Sequence, residues 1–294
     1  MQAMILAAGF GTRLLPYTKI CPKPLFPLLN EPLLLLTVRR LQAAGFDHII
    51  VNCHYLREQI VSALIGIDGV VVQQEETVLG TGGGLRMALS LMREQPLLVT
   101  NGDIYHTVDY RELYHAHDPG RAAVTMAMHD HPRFNKVTVR GDQVIGFDGG
   151  NSSDLLAFTG LHVLEPEVLE RIPLNLEYSI IDCYRELLEA GESIRALHVD
   201  GSFWTDMGTV EDYLSLHGRL LRKEIPRWKE FSMLPHAPFL VHDVALKGER
   251  VELLDWACVG RAQLEKDVTL RRCVVWDGVR VAEGTKCTDS LLVP

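Results

Sequence analysis

Along the first hundred residues, hydrophobic positions follow two alternating rhythms. Short apolar runs at residues 4–8, 48–53 ("HIIVNC"), 69–73 and 95–100 ("QPLLVT") have the length of buried strands. Between them, residues 31–44, 56–65 and 84–93 carry helical spacing, with Leu34, Leu35, Val38 and Leu41 on one face of the first and Gly45 closing it. Alternating strands and helices imply right-handed βαβ units and a mostly parallel sheet with helices on both faces. Beyond Asp103 the rhythm changes. Residues 122–128 and 156–163 predict strands, and 136–139 with 143–147 predict a hairpin turning at Gly141 and Asp142. Helices are expected at 177–190, closed by Gly191, and at 209–221, capped by Thr209. This middle part reads as an insertion that completes the first sheet.

After Lys223 the pattern loosens. "PRWKEFSMLPHAPFLVH", residues 226–242, has prolines and no period, and reads as a linker or packing arm. From Trp256 onward, period-two pairs such as Val268 with Leu270 and Val279 with Val281 each follow a polar turn. Repetition this short predicts stacked β-coils rather than helices. The expected fold is therefore α/β, a doubly wound mixed sheet over residues 1–225, a linker over 226–255 and a β-coil segment over 256–294.

Composition narrows the classes. The chain has 294 residues, 47% hydrophobic and 23% charged, which is ordinary globular usage. Its net charge of −9 provides no overall field to draw in nucleic acid, so a bound phosphate must meet a local basic site. Six cysteines, Cys21, Cys53, Cys183, Cys258, Cys273 and Cys287, form no CxxC pairs or Cys–His clusters and read as reduced, mostly buried thiols. Glycines interrupt the apolar start before signal-peptide length, and no run of about 18 apolar residues occurs. A cytoplasmic protein without membrane or nucleic-acid partners is expected.

The chemistry concentrates in "LAAGFGTRLLPYTKICPKPLFPL", residues 6–28. A strand followed by Gly9-Phe10-Gly11 can cradle an anion on its backbone amides, or can simply be a tight turn. A dinucleotide fingerprint needs a third glycine where Leu14 stands, and a P-loop needs four residues between its glycines and then Lys-Ser or Lys-Thr. What distinguishes this loop is Arg13 after the glycines and Lys23 framed by Pro22 and Pro24. Proline on both sides restricts the backbone in advance, which suits an ammonium held beside a phosphoryl group.

This stretch resembles the signature of sugar-1-phosphate nucleotidyltransferases, Gly-x-Gly-x-Arg followed by Pro-Lys-Pro. Two later segments resemble the same family: Gly102-Asp103 at the end of an apolar strand, and Trp204 to Thr209 in "FWTDMGT". The resemblance spans residues 1–222 and implies the nucleotide-diphospho-sugar transferase type of Rossmann-like fold. It further implies that Arg13 meets the triphosphate, that Lys23 meets the phosphates at the reacting centre, and that Asp103 and Asp206 hold a catalytic Mg²⁺. Nucleotide contacts are implied at Leu6, Ala8, Gly9, Gly11, Thr12, Glu76, Leu79, Gly80, Thr81, Gly82 and Asn101. Taken by themselves, the glycines of "LGTGGG" read either as base-reading amides or as close packing.

Gly160 and Glu177 resemble sugar-binding positions, and Asn135 is a candidate sugar contact by position alone. Many relatives follow this glutamate with a lysine; here Tyr178 stands instead, leaving the sugar-phosphate contact unassigned. His115 and His117 fall at helix-surface spacing and His129 and His131 flank a loop, and no catalytic role is expected of them. The expected reaction joins an NTP to a sugar 1-phosphate with release of pyrophosphate. Its nucleophile is already anionic, so no general base is required.

The "LGTGGG" loop looks most like the mannose-1-phosphate guanylyltransferase, heptose-phosphate and N-acetylmuramate-phosphate branches, favouring GTP or UTP. The C-terminal coils resemble a left-handed β-helix, an element that by analogy supplies a homo-oligomer contact. The competing reading is a non-catalytic nucleotide-sugar-binding regulatory or scaffold relative.

Overall fold

The computed structural model describes residues 1–149, 154–233 and 235–294. It divides into a unit of Met1–Phe10 with Thr37–Trp204 and a unit of Gly11–Leu36 with Thr205–Pro294. The first unit is built on strands β1 (Gln2–Leu6), β2 (His48–Cys53), β3 (Val70–Gln74), β4 (Leu97–Asn101), β5 (Val124–His129), β6 (Val137–Arg140), β7 (Gln143–Gly146), β8 (Leu155–Leu164) and β9 (Ile194–His198). They form one sheet in the order β3-β2-β1-β4-β8-β5-β9-β7-β6. The run β3-β2-β1-β4 is parallel, as alternating strands and helices demand. β8 departs from that rule: it lies antiparallel to both β4 and β5, so the sheet is mixed from there on. β9 returns to parallel pairing with β5, and β6 and β7 form the expected hairpin.

Helices α1 (Leu33–Ala43), α2 (Arg57–Leu64), α3 (Gly80–Ala88), α4 (Tyr110–Ala116), α5 (Pro166–Glu170), α6 (Ile180–Glu189) and α7 (Val210–Leu221) follow in chain order. One face of the sheet packs Met4, Ile50, Val99 and Met126 against Leu85 and Ala88 of α3 and Ile180, Tyr184 and Leu187 of α6. Each large aliphatic side chain buried there contributes about 1.5–3 kcal/mol. The α6 stripe follows from its spacing, since Ile180, Cys183, Tyr184 and Leu187 recur on one face. Glu31 and Pro32 pair as a short strand instead of opening α1. α3 begins at Gly80, four residues before the start expected at Gly84.

In the second unit, seven strands continue the numbering: β10 (Phe239–Val241), β11 (Leu246–Lys247), β12 (Glu252–Val259), β13 (Gln263–Leu264), β14 (Thr269–Val275), β15 (Arg280–Val281) and β16 (Lys286–Leu292). Successive strands alternate between the parallel sheets β10-β12-β14-β16 and β11-β13-β15. Corners recur with left-handed backbone at Asp255, Arg272 and Asp289. Strands thus begin at Phe239, inside the stretch read as a linker; Leu234 of that stretch lies outside the described residues. α7 packs on these strands through Tyr213, whose hydroxyl accepts from the Trp276 indole at 3.1 Å. Gly218 is required there, because a Cβ would stand 2.6 Å from the Trp256 indole nitrogen.

Candidate active site

The basic loop is wound from three short 3₁₀ turns, Thr12–Leu14, Tyr17–Lys19 and Lys23–Leu25. Gly11 enters them at φ 62°, and a Cβ on it would press within 2.8 Å of Thr18. Only glycine takes that conformation in that space at no cost. Pro22 is extended and Pro24 sits in the turn, so the backbone on either side of Lys23 is restricted, and Lys23 is buried. Around Gly9, by contrast, no described atom lies within 4 Å of a would-be Cβ. Its bareness serves no packing of the protein's own and leaves room for close approach by a ligand.

In this same unit Arg13 reaches Asp206, with Nη1 3.6 Å from Oδ2. Arg13 is 60% exposed and Asp206 13%, so the pair alone is worth about 0–1 kcal/mol. Gly208 makes it possible: a Cβ there would lie 2.5 Å from the Arg13 Nη1 and 2.6 Å from the Asp206 Oδ2. The other Asp206 oxygen, Oδ1, is buried without a hydrogen-bond partner among the described residues. A buried carboxylate oxygen left unsatisfied is costly, and a cation or a hydrogen-bond donor such as water satisfies it. No group of three or more His, Cys, Asp or Glu placed to hold a metal ion occurs among the described residues. Mg²⁺ needs no such cage, since it binds through one or two carboxylates, substrate phosphates and water.

In the first unit, the carboxyl ends of the parallel strands gather the next set. Gly102 donates its amide to the Leu6 carbonyl at 2.9 Å, where a side chain would collide, and Asp103 follows it half-buried. Ligands of open α/β sheets bind outside such strand ends. Asn101 and Gly160 meet here as well. Gly160 has φ 79° at an irregularity in β8, and a Cβ would strike the Asn101 side-chain amide. The neighbouring Thr159 carbonyl accepts from the Trp204 indole at 2.8 Å. Trp204 also packs edge-on to His131 and Phe134, in the loop that carries Asn135. Asn135 itself is engaged: its Oδ1 accepts from the His131 amide and its Nδ2 donates to Asp130.

Gly80, Gly82 and Gly83 of "LGTGGG" pack closely against residues 176–180. The Gly82 and Gly83 amides donate to the Tyr178 carbonyl at 2.8 and 3.2 Å, and the Tyr178 amide donates to Leu79. Thr81 Oγ1 accepts from the Ile180 amide at 3.0 Å. Residues 176–180 are thus laced onto the start of α3, which is why a glycine-rich segment is helical. The Gly82 amide is thereby engaged within the protein. The exposed Glu177 is carried beside this segment, while the Tyr178 hydroxyl binds the Glu186 carboxylate, which pushes its pKa up to about 12. Glu76 is exposed, and it is Glu75 that is buried. Asn52 and Glu75 escaped the sequence reading, although both are polar residues at the carboxyl ends of apolar strands.

The thiols carry no partner sulfur, and burial raises Cys21 to about 12 and Cys53 and Cys183 to about 11. Burial thus disfavours the thiolate at these three cysteines. His117 is not on a helix surface: it is buried, with ring nitrogens bonded to Thr125 Oγ1 and Glu165 Oε1, each at 2.9 Å. No helix among the described residues is long and apolar enough to cross a membrane.

Comparison with known proteins follows the same outline. Residues 2–223 match the model of the nucleotidyl transferase family. A mannose-1-phosphate guanylyltransferase of Mycobacterium tuberculosis (strain ATCC 25618 / H37Rv) is 32% identical over 97% of this chain and 82% of its own length. A UTP–glucose-1-phosphate uridylyltransferase of Synechocystis sp. (strain ATCC 27184 / PCC 6803 / Kazusa) is 29% identical over 76% of this chain and 64% of its own. Among solved structures, HddC from Yersinia pseudotuberculosis superposes with a TM-score of 0.63 at 23% identity, covering 73% of this chain and 97% of that one. That last likeness is one of fold.

Proposed function

Because this chain belongs to the nucleotidyl transferase family, we propose that it transfers a nucleoside monophosphate from an NTP to a sugar 1-phosphate, releasing pyrophosphate. The reading is carried by the orphaned Asp206 oxygen beside Arg13, in a chain that keeps the framed Lys23 and the strand-end Asp103. A sugar-phosphate oxygen attacks the α-phosphorus, a new P–O bond forms, and the α–β bridge breaks in line with it. The residues supply position and charge. Arg13 and Lys23 offset charge on the triphosphate, and Gly9 and Gly11 let the phosphates approach the backbone. Leu6, Ala8, Thr12, Glu76, Leu79, Gly80, Thr81, Gly82 and Asn101 form the nucleotide set, and Gly160, Glu177 and Asn135 the sugar set.

Asp103 and Asp206 are the residues that would hold Mg²⁺, which when bound would neutralise phosphate charge. The guanylyltransferase relative favours GTP over UTP as donor and mannose 1-phosphate as the first acceptor to try. The alternating parallel strands from Phe239 onward support a left-handed β-helix-like coil after a catalytic domain over 1–225; a homo-oligomer contact through it is proposed by analogy alone. The reaction is assigned to the cytoplasm. Intact phosphate-loop and carboxylate residues favour this reading over a non-catalytic binding relative. The test is pyrophosphate release from GTP, UTP, ATP, CTP and dTTP with mannose or glucose 1-phosphate and Mg²⁺. GTP with mannose 1-phosphate is expected to be fastest; no release from any pair would overturn the proposal in favour of the binding relative.

A further inference from the structure

The carboxyl ends of β1, β2 and β3 are tied together by polar groups to which the reaction gives no role. Ala7, the first residue past β1, donates its amide to Asn52 Oδ1 at 2.8 Å. Asn52 Nδ2 donates to Glu75 Oε1 at 2.7 Å. Glu75 Oε2 accepts from the amide of Leu79, the N-cap of α3, at 3.4 Å. Asn52 is 2% exposed and Glu75 1%. Gly84 roofs the pair, because a Cβ there would lie 2.8 Å from Glu75 Oε1 and 2.9 Å from Asn52 Nδ2. The Asn52 amide can face only one way, with its oxygen toward the Ala7 donor and its nitrogen toward the carboxylate. A carboxylate is expensive to bury, and burial raises the Glu75 pKa against the hydrogen bonds that lower it.

We infer that Asn52 and Glu75 are positioning residues that lock the phosphate-side loop at Ala7 to the base-side loop at Leu79, fixing the distance between the two ends of a bound NTP. This rests on the nucleotidyl-transfer reading. Neither side chain touches substrate; they act through the backbone amides of Ala7 and Leu79. Loss of the strut costs nucleotide affinity and spares the sugar phosphate, since Asn135 is held by Asp130 and Gly160 packs against Asn101, away from the strut. Asn52→Asp keeps the acceptor for Ala7 but sets two carboxylates face to face. At high pH they repel; at low pH one shared proton restores the missing donor. The titratable groups facing Glu75 are His54, whose Nδ1 bonds the Glu75 carbonyl at 2.9 Å, and Cys53, itself influenced by Arg57 and Glu58; α3 presents Gly84.

The experiment titrates GTP and UTP, each with Mg²⁺, into wild type, Asn52→Ala, Asn52→Asp and Glu75→Gln, and measures KM for both substrates. Asn52→Ala and Glu75→Gln are expected to weaken the preferred nucleotide about tenfold or more, with KM for the sugar 1-phosphate within about twofold. Asn52→Asp is expected to regain affinity between about pH 8 and pH 5.5 while wild type does not tighten. A folded Asn52→Ala binding like wild type would overturn the inference. So would an Asn52→Asp whose affinity follows the wild-type pH profile, and this variant decides if Asn52→Ala does not fold. Wild type that binds GTP yet releases no pyrophosphate contradicts the reaction alone, and the binding comparison still judges the strut. Wild type that binds neither nucleotide overturns both.

Discussion

The sheet unit and the C-terminal strands place polar side chains by opposite rules. Around β1, β2 and β3, Asn52, Gln73, Glu75 and Thr100 are buried, and Gly84 and Gly102 leave room for the groups they face. In the parallel strands the charged residues are at the surface and repeat every 17 residues. Arg250 pairs with Asp267 at 2.5 Å, Lys266 with Glu283 at 2.9 Å, and Arg272 stands between Asp255 at 2.7 Å and Asp289 at 2.5 Å. Exposed pairs of this kind contribute little energy each and are screened by salt. Their regular spacing marks register. Buried polar groups are costly unless bonded, and Asn52, Gln73 and Glu75 meet that requirement by bonding one another.

The contrast breaks first if Lys23→Ala or Asp103→Ala retains activity. Each is expected to lower kcat about 10²- to 10³-fold, while denaturant unfolding shows a folded protein. Gly160→Ala comes next: it forces a Cβ into the Asn101 amide at a φ that disfavours side chains. It is expected to cost about 1–3 kcal/mol of stability, read by urea unfolding, and to reduce kcat/KM for the sugar phosphate.

Acid stability sharpens the comparison further. Burial holds His162 neutral, lowering its pKa to about 3, and its ring nitrogens have no partner among the described residues. In the unfolded chain the ring protonates near its ordinary value of 6.5, so the unfolded state binds the proton first. Stability is full above that value and is lost as pH falls from 6.5 toward about 3; His217, lowered to about 4, adds to the loss. His162→Leu is expected to flatten the decline in urea midpoint between about pH 7 and pH 5. The smallest effect belongs to Arg272→Ala. Turnover is expected to stay within about twofold of wild type, with a slight, salt-sensitive drop in melting temperature.

Much of this was legible in the chain itself. β2 occupies the predicted residues 48–53, and Thr209 caps α7 through its hydroxyl as its residue type suggested. Those signals are local: an apolar run, a cap, a glycine closing a helix. The start of α3 was not legible, because glycine disfavours helix and the packing of residues 176–180 that overrides it is distant in sequence. Strands of two and three residues such as β10 and β11 are too short to show a period. His117 looked like a surface residue because its partners Thr125 and Glu165 lie on other elements. Among site residues, the glycines, Arg13, Lys23 and the aspartates were visible as motifs. The partnership of Asn52 and Glu75 needed the sheet order, which joins strand ends far apart in the chain.

The central claim is transfer at the α-phosphorus, and ³¹P NMR of GTP with mannose 1-phosphate, Mg²⁺ and the wild-type protein addresses it directly. The account predicts that pyrophosphate and a diphosphate diester appear in equal amounts as both substrates are consumed. Release of inorganic phosphate with the sugar phosphate unchanged would contradict it.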